Sequence, residues 1–108
     1  RRYPWGSEAP SPERLNACGA ECTTSGMYAG RDAFVSTAPV GSFPLGGTPE
    51  GVLDLAGNVA EWVDASGGLV RGGSYADTEA SAVDAMAARW VPADAAEPTV
   101  GFRCARDP

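Results

Sequence analysis

Gly51-Val52-Leu53-Asp54-Leu55-Ala56-Gly57-Asn58-Val59-Ala60-Glu61-Trp62 is the stretch on which the reading of this chain turns. Gly51 to Leu55 begins a short strand-like run. Gly57-Asn58 is a turn dipeptide, since both residues tolerate positive φ. Val59 to Val63 then resumes an extended pattern, with Glu61 beside Trp62. Two carboxylates, Asp54 and Glu61, can therefore face each other across the turn. A hard cation such as calcium takes six to eight oxygen ligands, and carbonyls of the intervening backbone could supply some of them. On the residues alone, a hairpin with two solvated acids accounts for the pattern better.

Downstream, Gly67-Gly68 turns the chain again. Leu69-Val70-Arg71-Gly72-Gly73-Ser74-Tyr75 reads as a strand whose glycine pair marks a bulge or a close backbone approach. Asp77-Thr78-Glu79 followed by Ala-rich sequence looks on local propensity like a capped helix, although its apolar residues select no single helical face. Val100 to Ala105 is a final short strand. Upstream, Val35 to Gly47 holds Pro39 and Pro44, which suits an extended edge segment dropping Val40 and Phe43 into a core. Residues 1–30 form a long irregular loop with Tyr3 and Trp5 as aromatic anchors. A loop of that length needs a staple. Cys18 and Cys22 could form one as a disulfide, or could be two reduced, buried cysteines.

The composition sets limits. The 108 residues carry 14 acids and 8 basic residues, a net charge of −6, and no His. All the basic residues are Arg. His-based triads, His-ligated zinc or iron and Lys Schiff bases are thus excluded within this chain. Nucleic acid is an unsuitable partner, because counterion release needs a clustered basic face. No signal peptide and no membrane span are expected. The absence of Ile and Gln beside abundant Ala and Arg reads as GC-rich, bacterial coding. With 14 Gly and 9 Pro against 44% hydrophobic residues, the expectation is a single loop-rich domain of short strands with little regular secondary structure. A chain this short benefits from disulfides, metal ions or a partner.

Five segments occur in order: Tyr3-Pro4-Trp5-Gly6, Pro39 to Pro44, Gly51 to Trp62, Arg71-Gly72-Gly73-Ser74-Tyr75 and Gly101-Phe102-Arg103-Cys104. Together they resemble the formylglycine-generating enzyme (sulfatase-modifying factor) family. The resemblance implies a mixed α+β, C-type-lectin-like fold with short antiparallel strands. It also implies that residues 1–108 are the C-terminal half of one such domain, to be completed by an N-terminal half or a second chain. For the turn at Gly57-Asn58 it implies calcium held by the side chains of Asp54 and Glu61 and the carbonyls of Gly57 and Val59. A second calcium set is implied at Asn16, Ala17, Asp32 and Phe34, through the side chains of Asn16 and Asp32 and the carbonyls of Ala17 and Phe34. Residues 76–82 are expected to be irregular, against propensity, with Ala85, Ala87 and Arg89 on a strand pairing with Arg71–Tyr75.

The family's oxidase chemistry uses two cysteines that bind copper(I) and activate oxygen to convert a substrate cysteine to formylglycine. Asp77 and Ala82 stand where the resemblance places those cysteines, and Ala60 stands where the family has a pocket Trp. Ser74 of the pocket is retained. Copper is therefore not expected, and the expectation is a non-catalytic, calcium-stapled module binding a peptide, protein or glycan. Two alternatives share the scaffold: an authentic formylglycine-generating oxidase with cysteines from elsewhere, and a domain of a non-heme iron sulfoxide synthase. A retroelement-type variable protein is disfavoured by the Ala- and Asp-rich loop before Gly101. An acid–base pair among Asp77, Glu79 and Asp84 competes with a plain solvated loop. Cys104 either pairs outside this chain or is a buried thiol of the last strand.

Overall fold

A computed structural model describes residues 1–22, 26–63, 68–92, 94 and 96–104. Its regular structure is brief. Four strands, β1 (Ala60–Trp62), β2 (Leu69–Arg71), β3 (Arg89–Trp90) and β4 (Val100–Gly101), form one sheet in the order β3-β2-β1-β4. Two 3-10 turns, Pro44–Gly46 and Ala80–Val83, complete the elements, and no α-helix occurs among the described residues.

The central hairpin is antiparallel, with Glu61 opposite Arg71 and Trp62 opposite Val70. β3 joins β2 antiparallel through Leu69–Trp90 and Val70–Arg89. β4 instead runs parallel to β1, with Ala60 opposite Val100. The sheet is therefore mixed, which corrects the all-antiparallel expectation. After β3 the chain passes to the opposite edge of the sheet and enters β4 in the direction of β1. The amide of Ala60 reaches the Thr99 carbonyl at 2.7 Å and fixes that entry.

Two apolar clusters flank this frame. Ala60, Val70 and Val91 form one, with Trp62 and Val100 packed against it. Tyr3, Leu15, Ala17, Tyr28, Ala56 and Val83 form the other, with Trp5 and Met27 against it. Tyr3 and Trp5 stack at 5.1 Å, so the opening turn docks the irregular N-terminal loop on the second cluster. Phe43 is buried but Val40 is 88% exposed, against the expectation that both enter a core. The turn at Gly41 (φ 81°), whose amide donates to the Asp54 carboxylate at 2.7 Å, carries Val40 outward.

Several strand boundaries differ from expectation. Residues 51–55 form no strand, because Asp54 adopts φ 59° and breaks the extended run. β2 stops at Arg71, where Gly72 (φ 100°) and Gly73 (φ 65°) turn the backbone into a region L side chains avoid. A Cβ at Gly72 would lie 2.6 Å from the Leu55 carbonyl oxygen. Gly72→Ala should therefore cost about 2–3 kcal/mol through strain and overlap combined, measured as a fall in the denaturation midpoint. β4 ends at Gly101; Ala105 and Gly67 of the sequence reading lie outside the described residues.

The stretch after Gly73 is neither the capped helix of local propensity nor wholly irregular. The Asp77 carboxylate accepts from the Ser74 amide at 2.7 Å, N-terminal to itself, so it closes a turn rather than capping a helix. Only the 3-10 turn Ala80–Val83 follows, seating Val83 in the core. The next strand is Arg89–Trp90 against Leu69–Val70. It starts at Arg89, so the expected Ala85 and Ala87 lie before it, and its partner is the segment before the glycine pair.

Candidate functional site

A cleft of about 440 Å³ opens beside β1 and β2. Its floor is built from Ala60, Val70, Gly72 and Gly73, and its walls from segments 76–82 and 87–89. Ala60, Asp77 and Ala82 all line it. Charged groups of both signs stand at its rim, Arg71 and Arg89 with Asp77 and Glu79, beside the hydroxyls of Thr78 and Ser81. Ser74 lies beneath the wall. It is buried, its hydroxyl sits 3.3 Å from the Asp77 carboxylate, and it accepts from the Ala76 amide. The same Asp77 oxygen accepts from the Ser74 amide, so it already has donors from the protein. Asp84 points elsewhere. Its pKa is lowered by the Met86 amide and by the Arg2 guanidinium, with which it forms an ion pair at 3.0 Å.

Ala60, Asp77 and Ala82 share one cleft, and the whole chain, residues 1–108, matches the model of the sulfatase-modifying factor enzyme 1-like domain. The chain belongs to this family. Among curated proteins, none matches it. In this sulfatase-modifying factor domain no helix of the described residues is long and apolar enough to cross a membrane.

The two cation sets differ in their surroundings. At the Gly57-Asn58 turn, Arg103 lies against Glu61 with two bonds, 2.6 and 2.8 Å, and its guanidinium also donates to the Asp54 carbonyl at 2.9 Å. The bonds to Glu61 hold the Arg103 pKa above its ordinary value. The Asp54 carboxylate turns to the Gly41 amide. Arg103 therefore meets one of the two carboxylate charges of this loop, that of Glu61, and in this arrangement Glu61 faces the guanidinium rather than a bound cation.

The second set is different. Asn16 is 1% exposed, and its Oδ1 is a buried acceptor with no donor. Its Nδ2 donates to the carbonyl of Ser36 at 2.7 Å and to Asn58 Oδ1 at 3.1 Å. Beside it, the single phenolic proton of Tyr28 faces three acceptors: Asp32 Oδ2 at 2.5 Å and the carbonyls of Leu15 and Ala17 at 3.0 and 3.1 Å. Burial, and then Asp32, push the Tyr28 pKa well above the usual phenol range, so this proton stays in place. The other Asp32 oxygen accepts from the Phe34 amide. Both Asp32 oxygens thus have protein donors, Oδ2 from the Tyr28 hydroxyl and the Ala17 amide and Oδ1 from the Phe34 amide, while Asn16 Oδ1 is left without one. An orphaned buried amide oxygen costs about 1–3 kcal/mol unless a cation accepts its lone pair. Asn16 Oδ1 is the oxygen of this set with room for a cation such as calcium.

Sequence reasoning missed the residue that ties these parts together. Asn58, which it treated as half of a turn, is buried at φ 64°. Its side chain accepts from the Ala38 amide at 2.7 Å and donates to the Ala38 carbonyl at 3.2 Å. Its backbone amide donates to the Asn16 carbonyl, and its carbonyl accepts from the Tyr75 amide, each at 2.8 Å. Its partners lie far away in the chain, so no local pattern announces it. Cys18 and Cys22 form a disulfide, whereas Cys104 is exposed beyond the end of β4 rather than buried in it.

Proposed function

We propose that this chain is a non-catalytic member of its family, a calcium-stapled module whose cleft binds a peptide, protein or glycan within a larger C-type-lectin-like assembly. The observation that carries this reading is the joint placement of Asp77, Ala82 and Ala60 on one cleft. Copper(I) chemistry of the family needs a pair of thiolates, because a soft metal prefers sulfur. A carboxylate bonded to the Ser74 amide and a methyl group offer neither. What remains is a floor of small residues with a rim of charges of both signs and hydroxyls, suited to contact rather than to oxidation.

Calcium, when bound, would supply fixed positive charge for the acceptors around Asn16. The Asn16 and Asp32 side chains and the Ala17 and Phe34 carbonyls are the groups that would hold it. At the Asp54–Glu61 loop the same ion would first have to displace Arg103. The reading includes a completing segment, either an N-terminal half or a second chain. In its support, Val40, Val52 and Phe102 are exposed around a second hollow of about 520 Å³ that also contains Arg103.

The test is single-turnover oxidation of a Cys-X-Pro-X-Arg peptide by the intact protein with copper and oxygen. We expect no formylglycine above the copper-only control. Formylglycine formed faster than that control would establish the oxidase reading instead.

A further inference from the structure

We infer that the Cys18–Cys22 disulfide is a thiol-responsive clasp that holds the Asp77 wall of the cleft in place. The inference rests on the reading of that cleft as the binding site and concerns its regulation. Residues 18–22 form a small covalent ring, with both cysteines half-buried and therefore within reach of a reductant. The ring touches the cleft directly: the Cys18 amide donates to the Asp77 carbonyl at 3.0 Å. The Cys18 carbonyl accepts from the Met27 amide at 2.8 Å, and the Ala20 amide donates to the Gly30 carbonyl at 2.9 Å. These bonds bind the ring to the returning segment of its own loop.

The packing leaves the ring no slack. A Cβ at Gly19 would strike the Gly30 carbonyl and the Tyr28 ring, and one at Gly26 would strike the Gly19 backbone. Opening the disulfide turns two bonded sulfur atoms into two thiols that must stand at non-bonded separation. Among the described residues the Cys22 end is held only by the bond from its own amide to the Gly19 carbonyl inside the ring, so that end swings free, and Cys18 is left to its two hydrogen bonds, to the Asp77 carbonyl and from the Met27 amide, without the covalent closure that braced them.

The chemistry balances with a dithiol as co-reactant. Its thiolate attacks one cysteine sulfur and the Cys18–Cys22 bond breaks. Its second thiol then resolves the mixed disulfide. The protein gains two electrons and two protons, and the reductant leaves as its own cyclic disulfide.

Amide hydrogen exchange of the intact protein, oxidised and then reduced with dithiothreitol, tests the clasp. Calcium is left out of both samples and no substrate peptide is present, so failure of the calcium assignment or of the non-catalytic reading leaves this result intact. On reduction, the Cys18 amide and the amides of residues 74–79 should exchange at least tenfold faster, while the amides of β1 and β2 keep their protection. A Cys18→Ser, Cys22→Ser double variant should reproduce the pattern without reductant. Unchanged exchange at Cys18 and at 74–79, in a sample whose two thiols alkylate fully, would overturn the proposal.

Discussion

Asn58→Ala should be the most damaging single substitution in the chain, lowering stability by about 4 kcal/mol and leaving the domain unfolded or nearly so at 37 °C. The figure is a sum of named losses. Truncation strands the amide and carbonyl of Ala38 and one donor of Asn16, all served by the Asn58 side chain. Each buried polar group left unpaired costs about 1–3 kcal/mol. Alanine must also hold φ 64°, which costs about 1 kcal/mol more for an L residue without a compensating side chain. A domain of this size has about 5–15 kcal/mol in total. Asn58→Asp keeps the acceptor but loses the donor to Ala38, and it sets a buried charge where no cation faces it. It should fail to rescue. Chemical denaturation of both variants measures this, and a loss below 1 kcal/mol for Asn58→Ala would mean the loops hold together without their shared amide.

Calcium should have the second-largest effect. At a free concentration a hundred times its Kd, a ligand bound only by the folded state adds about 2.7 kcal/mol. For a domain of about a hundred residues this corresponds to a rise in Tm of about 10–20 °C. Chelator should remove the whole increment. Asp32→Asn keeps an acceptor for Tyr28 but takes away the carboxylate charge of this set, so it should abolish the calcium-dependent part of Tm; because its NH2 would face the Phe34 amide that the second carboxylate oxygen serves, it should lower the chelated Tm as well. Glu61→Gln should leave the calcium increment in place, because Glu61 is engaged by Arg103. Equal Tm values in calcium and chelator would refute calcium at Asn16. A loss of the increment in Glu61→Gln alone would move the ion to the Asp54–Glu61 turn.

The parts of this fold legible in the sequence are those whose cause is local. The glycine pair Gly72-Gly73 announces a backbone departure because only glycine sits easily at φ 100° followed by 65°. The aromatic pair Tyr3 and Trp5 announces an anchor, and the two anchors do stack. Where partners are remote, local signals mislead. Asp54 looks like a strand residue and a cation ligand, but its carboxylate satisfies Gly41 and its backbone turns left-handed. Asp77 looks like a helix cap, yet its carboxylate reaches backward to Ser74. Val40 looks like core because its neighbour Phe43 is, although a turn separates them. The cleft is legible only through family resemblance, since Ala60 and Ala82 carry no chemistry by which residue type alone would single them out, and Asp77 by type reads as a cap or an acid of a solvated loop. For the same reason Arg103 beside Glu61 was not visible: 42 residues separate the pair.

The parallel pairing of β4 with β1 bears on the order in which the chain can assemble. Glu61 finds Arg71 across a span of ten residues (71 minus 61), a hairpin of the kind that closes within microseconds. Ala60 must wait for Val100, forty residues on (100 minus 60). Two doublings of span raise the closure entropy by only about 1.2 kcal/mol, but the partner has to exist before it can pair. During synthesis, the segment that lines the cleft leaves the ribosome ahead of the strand that locks the far edge of its sheet. For that interval the hairpin carries one bare edge, and the nascent chain depends on whatever shields it.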